Sequence, residues 1–347
     1  MEHIAIDLGG RESQICVRQS DGTIDEERRW GTARLGEFLA RKKAPARVVL
    51  ETCAEAFAIA DQAKAAGHEV RVVPATLVRM LGVGAHGKKT DKDDARRLSD
   101  ASCKMDLPSV HIPSEQARMW KTMCGMRDSL VQSRTQLINS VRGWLRTRIR
   151  RVRTGGTDTF PRRLAELGLE LPSWVQRSVR MIEALTSEIK AATVELRQLA
   201  RSEAVCRRLM TAPGIGPITA VRYVATLDEV GRFPSAHKVE AYLGLVPGIQ
   251  ASSDRMWRTG ITKAGSPAMR SLLVEAAWAA RRCRRRTPIH AWVEDVERRR
   301  GKKVALLALA RKLAGILYAM WRDGTVFDPT RGAAQAPPLA VEAATSG

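Results

Sequence analysis

The hydrophobic period changes once along the chain, near residue 110, and that change limits the folds open to it. Before it, short runs of β-formers alternate with short helical stretches; after it, apolar residues recur at helical spacing. His3 to Ile6, Ser13 to Gln19 and Thr23 to Arg29 read as three strands, the last two joined by the turn Ser20-Asp21-Gly22. A helix through Leu35 to Lys43, a buried strand Arg47 to Leu50, a helix Ala54 to Ala66 stopped by Gly67, and a strand Glu69 to Val73 follow. Three hairpin-type strands followed by alternating helix and strand predict an α/β domain of the ribonuclease-H type over 1–110. Gly82 to Lys89 reads as a flexible basic loop that delivers the chain to Thr90, an N-cap for a helix over Asp91 to Cys103.

An all-helical region over 111–204 opens at Ser114. Met123, Leu130, Leu137 and Trp144 recur every seven residues, as in a coiled-coil seam, although Arg127 and Arg134 occupy positions between them. The partner is either the helix expected from Val175 to Glu203 or the same helix of a second subunit. A third, mainly helical region covers 205–331. Its segment Ala212-Pro-Gly-Ile-Gly-Pro-Ile-Thr-Ala220 reads as a helix-hairpin-helix turn, in which Gly214 and Gly216 let backbone N–H groups face a phosphate. Residues 332–347 lack periodicity and are expected to be disordered.

The net charge is +21, and its distribution says more than its size. Residues 1–110 hold 18 basic and 17 acidic side chains, 111–253 hold 22 and 12, and 254–347 hold 18 and 8. Surplus cations confined to the helical regions call for a polyanion, and nucleic acid is the expected partner. Trp144 to Arg153 alternates basic and apolar residues and reads as a backbone-tracking segment; Arg281–Arg286 and Arg298–Lys303 are further basic runs. Cys16, Cys53, Cys103, Cys124, Cys206 and Cys283 form no C-x-x-C pair, and no histidines stand at zinc spacing, which argues against a disulfide framework or zinc ribbon. No leader pattern and no run of eighteen apolar residues appear, so a cytoplasmic protein without membrane spans is expected. A GxxxxGK[ST] loop is absent from the sequence, and the IDLGG opening lacks the second Gly-rich loop of an actin-like ATPase.

Four carboxylates stand out. Asp7 follows the first strand and Glu51 the buried strand Val48-Val49-Leu50; if those strands are neighbours, both acids emerge at one edge. Asp91 and Asp94, three residues apart, share a face at a helix start, while Asp93 faces elsewhere, into solvent. Four acids at one edge repel unless divalent cations sit among them, and a pair of hard cations can clamp the oxygens of a phosphodiester. Taken alone, Asp91 and Asp94 also read as helix N-terminal acids favoured by the dipole. Ser252 and Ser253 lie in a polar loop flanked by Arg255, Arg258 and Lys263, where cations could support attack of a serine on phosphorus, although serines are also common in loops without that role.

The segments IDLGG, VLETCAEAF, KTDKDDA, PGIGPITA and AYLGLVP followed by GITKAGSPAMRSLLVEAAW, in that order, resemble the insertion-sequence-110 family of DEDD transposases, related to the Piv-type DNA invertases. The resemblance runs from about residue 3 to 320. It implies a RuvC-like N-terminal domain, a central coiled coil and a C-terminal transposase domain, in a recombinase guided to donor and target DNA by a non-coding bridge RNA. It implies that Asp7, Glu51, Asp91 and Asp94 bind magnesium and act with a nucleophilic serine. Counting from Gly244 to Ile261 places that serine at Ser252, with Ser253 standing where the family has glycine, and Ser266 where it has Asn or Asp. It further implies a homo-oligomer, dimer or tetramer, in which Ser252 of one subunit completes the acids of another. Gly214, Gly216, Arg255, Arg258, Lys263 and Arg270 are the candidate nucleic-acid contacts. A RuvC-like endonuclease that hydrolyses branched DNA, or a non-catalytic nucleic-acid-binding protein, are the alternatives.

Overall fold

A computed structural model describes residues 1–80, 91–252, 255–283 and 286–330, in two compact units, Met1–Pro113 and Ser114–Gly347. The expectations for the 82–89 loop, Thr90, Ser253 and the 332–347 tail lie outside the described residues.

The first unit is built on a mixed five-stranded sheet of order β3-β2-β1-β4-β5. Its strands are β1 (His3–Asp7), β2 (Glu12–Arg18), β3 (Ile24–Gly31), β4 (Arg47–Glu51) and β5 (Glu69–Val73). β1 pairs antiparallel with β2 and parallel with β4, which pairs parallel with β5. Alternation along the central strands divides two layers. Ile4, Ile6, Val48 and Leu50 face α1 (Leu35–Ala40) and α2 (Ala56–Ala65) in one core, with Phe38, Leu39, Ile59 and Ala60. Ala5, Val49 and Val73 face the other way, towards Val78 of α3 (Ala75–Met80) and Leu98 and Ala101 of α4 (Asp91–Lys104). This arrangement fits the ribonuclease-H-like fold expected from the sequence.

The second unit begins with α5 (Glu115–Thr147), whose N-cap Ser114 accepts a hydrogen bond from Ala117 N at 3.1 Å. After α6 (Phe160–Ala165), α7 (Ser173–Ser202) returns along α5 as an antiparallel helical hairpin. The buried line is Trp120, Cys124, Arg134, Ile138, Val141 and Leu145 on α5, against Val175, Ile182, Thr186, Ile189, Leu196 and Ala200 on α7. This seam corrects the expected one: Met123, Leu130, Leu137 and Trp144 precede Cys124, Val131, Ile138 and Leu145 by one residue and lie half-buried beside it. Polar pairs within the seam explain the shift. Arg127 Nε donates to Thr193 Oγ1 at 2.9 Å, and Arg134 Nη1 to Thr186 Oγ1 at 3.3 Å, seven residues on in one helix and seven back in the other. They fix the antiparallel register, as buried polar residues do in coiled coils.

The hairpin base shares a core with α8 (Ala204–Leu209), α9 (Pro217–Leu227), α10 (Ala236–Tyr242), α11 (Pro267–Arg281), α12 (Pro288–Arg300) and α13 (Lys302–Asp323), so the division expected near residue 205 falls inside this unit. Pro217, Pro267 and Pro288 begin their helices, where a missing N–H costs nothing. α13 is apolar and long enough to cross a membrane by length and composition, but Leu309, Leu313, Leu317 and Tyr318 place it at the centre of this core. Tyr223 Oη donates to Ala314 O at 2.8 Å and Tyr318 Oη to Phe233 O at 2.7 Å, so the buried phenols are satisfied. Among helices, β6 (Pro247–Ser252) and β7 (Arg255–Ile261) form a hairpin where the sequence pattern predicts a loop.

Gly214 packs rather than merely turns. At φ 78°, a Cβ there would stand 2.1 Å from Ala276 O and 2.8 Å from Ala280 N of α11. Gly214→Ala is expected to cost about 2 kcal/mol or more, through the left-handed backbone and the forced separation of α11. The shift in the urea midpoint checks it.

Candidate active site

The acids of the first unit are brought together by strand parity and helix placement. The β1–β4 register ends at Ile6 opposite Leu50, so Asp7 and Glu51 follow side by side at the C-terminal edge of two parallel strands. Both share the parity of Ala5 and Val49, which places them on the α4 side of the sheet. α4 runs back along β1: His3 Nδ1 is 2.8 Å from Ser102 Oγ, near its C-terminal end. From Ser102 to Asp94 a helix climbs about 12 Å, and from His3 to Asp7 a strand climbs about 13 Å. Asp94, 5% exposed, therefore stands level with Asp7. Asp91 lies one turn nearer the helix start; its backbone is in α4 and its side chain is outside the described residues. Asp93 is exposed, as expected.

α4 is fastened to the sheet by groups that do not stand out in the sequence. Arg18 Nε donates to Ser99 Oγ at 3.1 Å, and Arg96 Nη2 donates to Glu27 Oε2 at 2.7 Å. Hydrogen bonds from Arg96, the leading cause after which Lys92 adds its own, hold the Glu27 carboxyl below its ordinary range. The signal available was a small polar side chain at 99 and again at 102, one helical turn apart on the sheet-facing side of α4. The turn after Asp7 is held in the same manner. Thr32 Oγ1 donates to Gly9 O at 2.7 Å and meets Ser13 Oγ at 2.8 Å, and a Cβ at Gly9 would collide with Glu12 O. Beyond Glu51, Thr52 Oγ1 accepts from Ala75 N at 3.0 Å.

Carboxylates alone make a hard-oxygen donor set, which suits magnesium rather than zinc or copper. Strand parity and the level of α4 place Asp7, Glu51 and Asp94 on one face of one edge. No three acidic, histidine or cysteine side chains among the described residues close around a metal position by themselves. The donor chemistry and the strand-edge placement fit a divalent cation.

In the second unit, Ser252 ends β6 with its Cα opposite Arg255 of β7, and Arg258 pairs with Ile249. Ser252 is thus a strand terminus and not a loop residue. Ser253 and the side chains of Ser252, Arg255 and Arg258 are outside the described residues. The base of this hairpin is tightly determined. Gly244 (φ 68°) approaches Ala264, where a Cβ would sit 2.2 Å from Ala264 O, and Gly265 (φ 69°) approaches Tyr242 O at 2.1 Å by the same measure. Arg270 Nη1 donates to Leu243 O, Ala264 O and Gly265 O, joining the two crossing turns. Arg270 therefore has a framework role within the unit. Lys263 is exposed on the left-handed turn (φ 58°) beside it. Gly216 caps α9 with open space around its α-carbon, whereas Gly214 is committed to α11.

Residues 4–148 match the family model of DEDD transposases of the IS110 type, and residues 206–291 match that described as the transposase IS116/IS110/IS902 family. The chain is 28% identical over 340 residues to a probable family 20 transposase of Pseudomonas aeruginosa, covering 95% of this chain and 99% of that protein. It is 26% identical to the transposase for insertion sequence element IS1111A of Coxiella burnetii, over 91% and 88% of the two chains. It is 28% identical to the transposase for insertion sequence element IS1328 of Yersinia enterocolitica, over 93% and 98%.

Because Arg96 depresses the Glu27 pKa in the folded state, that pair adds stability above the unfolded carboxyl value, about 4.3. The contribution is lost as pH falls through the folded value. Glu27→Gln is expected to lower the urea midpoint at pH 7, and the difference from the parent to shrink as pH falls below that unfolded value.

Proposed function

The chain belongs to the IS110 family of DEDD transposases, and from that premise we propose an RNA-guided DNA recombinase that works through Ser252, with magnesium at Asp7, Glu51, Asp91 and Asp94. The observation that supports this reading is the placement of acids from β1, β4 and α4 on one face of one strand edge. Bound there, magnesium supplies positive charge against the anionic phosphate. Ser252 Oγ attacks phosphorus and its proton passes to solvent. The Oγ–P bond forms as one P–O bond of the strand breaks, and the released sugar oxygen takes up a proton. A hydroxyl of the exchanged strand then attacks the phosphoserine and returns the proton to serine. One ester replaces another at each stage, so no nucleotide hydrolysis is needed. Arg255, Arg258 and Lys263 offer charge for the phosphate at this hairpin, and a bridge RNA selects donor and target by base pairing. A cytoplasmic site of action belongs to the same reading.

A homo-oligomer is part of the proposal. Met119, Met123, Met126, Leu130, Leu137 and Trp144 form a second heptad line on α5, one residue ahead of the intrachain seam, and Met126 is 68% exposed. Trp174 and Met181 continue it on α7, with Trp144 and Trp174 5.7 Å apart, edge to face. A hairpin that fills one seam internally and leaves a second apolar line beside it favours pairing with another copy.

Ser252→Ala is expected to abolish detergent-resistant protein–DNA adducts and to lower strand exchange by about 10³-fold or more, while Ser253→Ala keeps both. Adducts that persist in Ser252→Ala overturn the nucleophile, and free ends without adducts favour the hydrolytic endonuclease. Asp91→Ala is expected to stop strand exchange. A defined non-coding RNA among the co-purifying nucleic acids supports guidance, and heterogeneous fragments oppose it. Met126→Asp combined with Met181→Asp is expected to convert an oligomer into a monomer in sedimentation equilibrium; a monomeric parent protein removes the oligomer.

A further inference from the structure

At the far end of the helical hairpin, where α5 stops, a cleft of about 330 Å³ has Leu145 and Val152 as its floor and Arg142, Arg146, Arg150 and Arg151 around it. Among the described residues, none of these four guanidiniums has a carboxylate within ion-pair distance. The helix dipole at the end of α5 accounts for a cation or two, not for four directed at one space.

The cleft is built by its neighbours. Arg163, itself buried, donates to Arg153 O, Gly156 O and Thr159 Oγ1, and so fixes the return segment that carries Arg150 and Arg151. Arg142 lies over the ring of Phe160 at 5.5 Å. The turn into the cleft runs through Ile149, a β-branched residue with φ 55° and a side chain 95% exposed. Ile149 N bonds to Arg146 O and Arg150 N to Leu145 O, the closing pattern in which glycine normally stands. A left-handed isoleucine is strained relative to the ordinary backbone, and such strain collects at ligand clamps. On another face of the same hairpin end, Trp174 is half-exposed against Trp144, and the Arg148 guanidinium lies 5.0 Å over the Trp144 ring.

We propose that this hairpin end holds an unpaired nucleic-acid segment, with one nucleotide in the cleft, its flanking phosphates on the four arginines and its sugar or base over Leu145 and Val152. A duplex offers phosphates, sugars and base edges but keeps its base faces stacked inside, so it has no free base to place over an apolar floor. An unpaired strand can fill that floor and stack a further base on an exposed indole. The shared chemistry, a stackable base between phosphates, is found in single-stranded RNA and single-stranded DNA alike. The inference rests on the recombinase reading only for the origin of such a strand.

The test uses the full chain without magnesium and labelled twelve-nucleotide probes: unstructured RNA, the same sequence as single-stranded DNA, and duplex DNA. Arg146→Ala combined with Arg150→Ala is expected to weaken binding of the single strands at least tenfold. It is also expected to lower the slope of log affinity on log salt by about 0.7 for each phosphate no longer neutralised. Duplex binding should change by less than threefold, and Arg34→Ala, at an arginine of the first unit paired with Glu37, should leave all probes unchanged. The relative weakening for RNA and DNA identifies which strand the cleft prefers. An unchanged single-strand affinity, or equal weakening for strand and duplex, overturns the site. Circular dichroism melting of the double variant guards against loss of fold, and a lysine pair at the same positions, expected to recover most of the salt slope, keeps the test decisive if alanine unfolds the end. Because no strand exchange is measured, failure of the recombinase reading and failure of this site give different results.

Discussion

The acidic edge depends on α4 lying along the sheet with its start at the end of β1. Ala5, between Ile4 and Ile6, is what the close approach needs: a small side chain on the α4 face and large ones on the other. Val49 and Val73 extend that shallow bed, and Leu98 and Ala101 fill it. Buried hydrogen bonds at His3–Ser102 and Cys16–Ser99 then set how far along the bed the helix slides. A slip of one helical turn would carry Asp94 about 5 Å from the level of Asp7, more than a shared cation could bridge. The packing therefore determines the chemistry, and the acids, which repel each other, contribute nothing to their own assembly.

Much of the first unit was legible because its strands follow the period-two rule and end at Gly, Pro or charged residues. The carboxylates were legible because each closes an apolar run or opens a helix. The ties that place them were not, since Ser99, Ser102 and Thr32 are ordinary residues until a partner some twenty to a hundred positions away is known. The serine hairpin was hidden for a related reason. Pro247–Ile261 mixes glycine, serine and arginine in proportions typical of loops, and its strands are fixed by tertiary anchoring at Gly244, Gly265 and Arg270 rather than by β-propensity. Arg270 itself reads as a contact for nucleic acid, since a sequence does not show that three carbonyls already face its guanidinium.

The helical hairpin shows how two overlapping heptads compete. Counting apolar residues alone selects Met123, Leu130, Leu137 and Trp144, the stronger hydrophobic series. The chain folds instead on the neighbouring series that includes Arg127 and Arg134, because α7 supplies Thr193 and Thr186 opposite them. Burial lowers the Arg134 pKa without neutralising the side chain, so the polar layer costs stability and contributes register. The more apolar line is thereby left beside the seam, where Trp144 and Trp174 meet.

α11 touches two elements that have no other reason to be related. Its last turns lie against Gly214 with no room for a methyl group, and its first turn carries Arg270, which ties together the turns beneath the serine hairpin. A helix backbone is stiff along its axis; one contact is backbone to backbone and the other runs through a single guanidinium shared by three carbonyls, so slack is small at either end. The PGIG turn and the strand that presents Ser252 are in effect mounted on one rod. A shift of the turn is passed along that rod to the base of the serine strand, with the Arg270 guanidinium in the path.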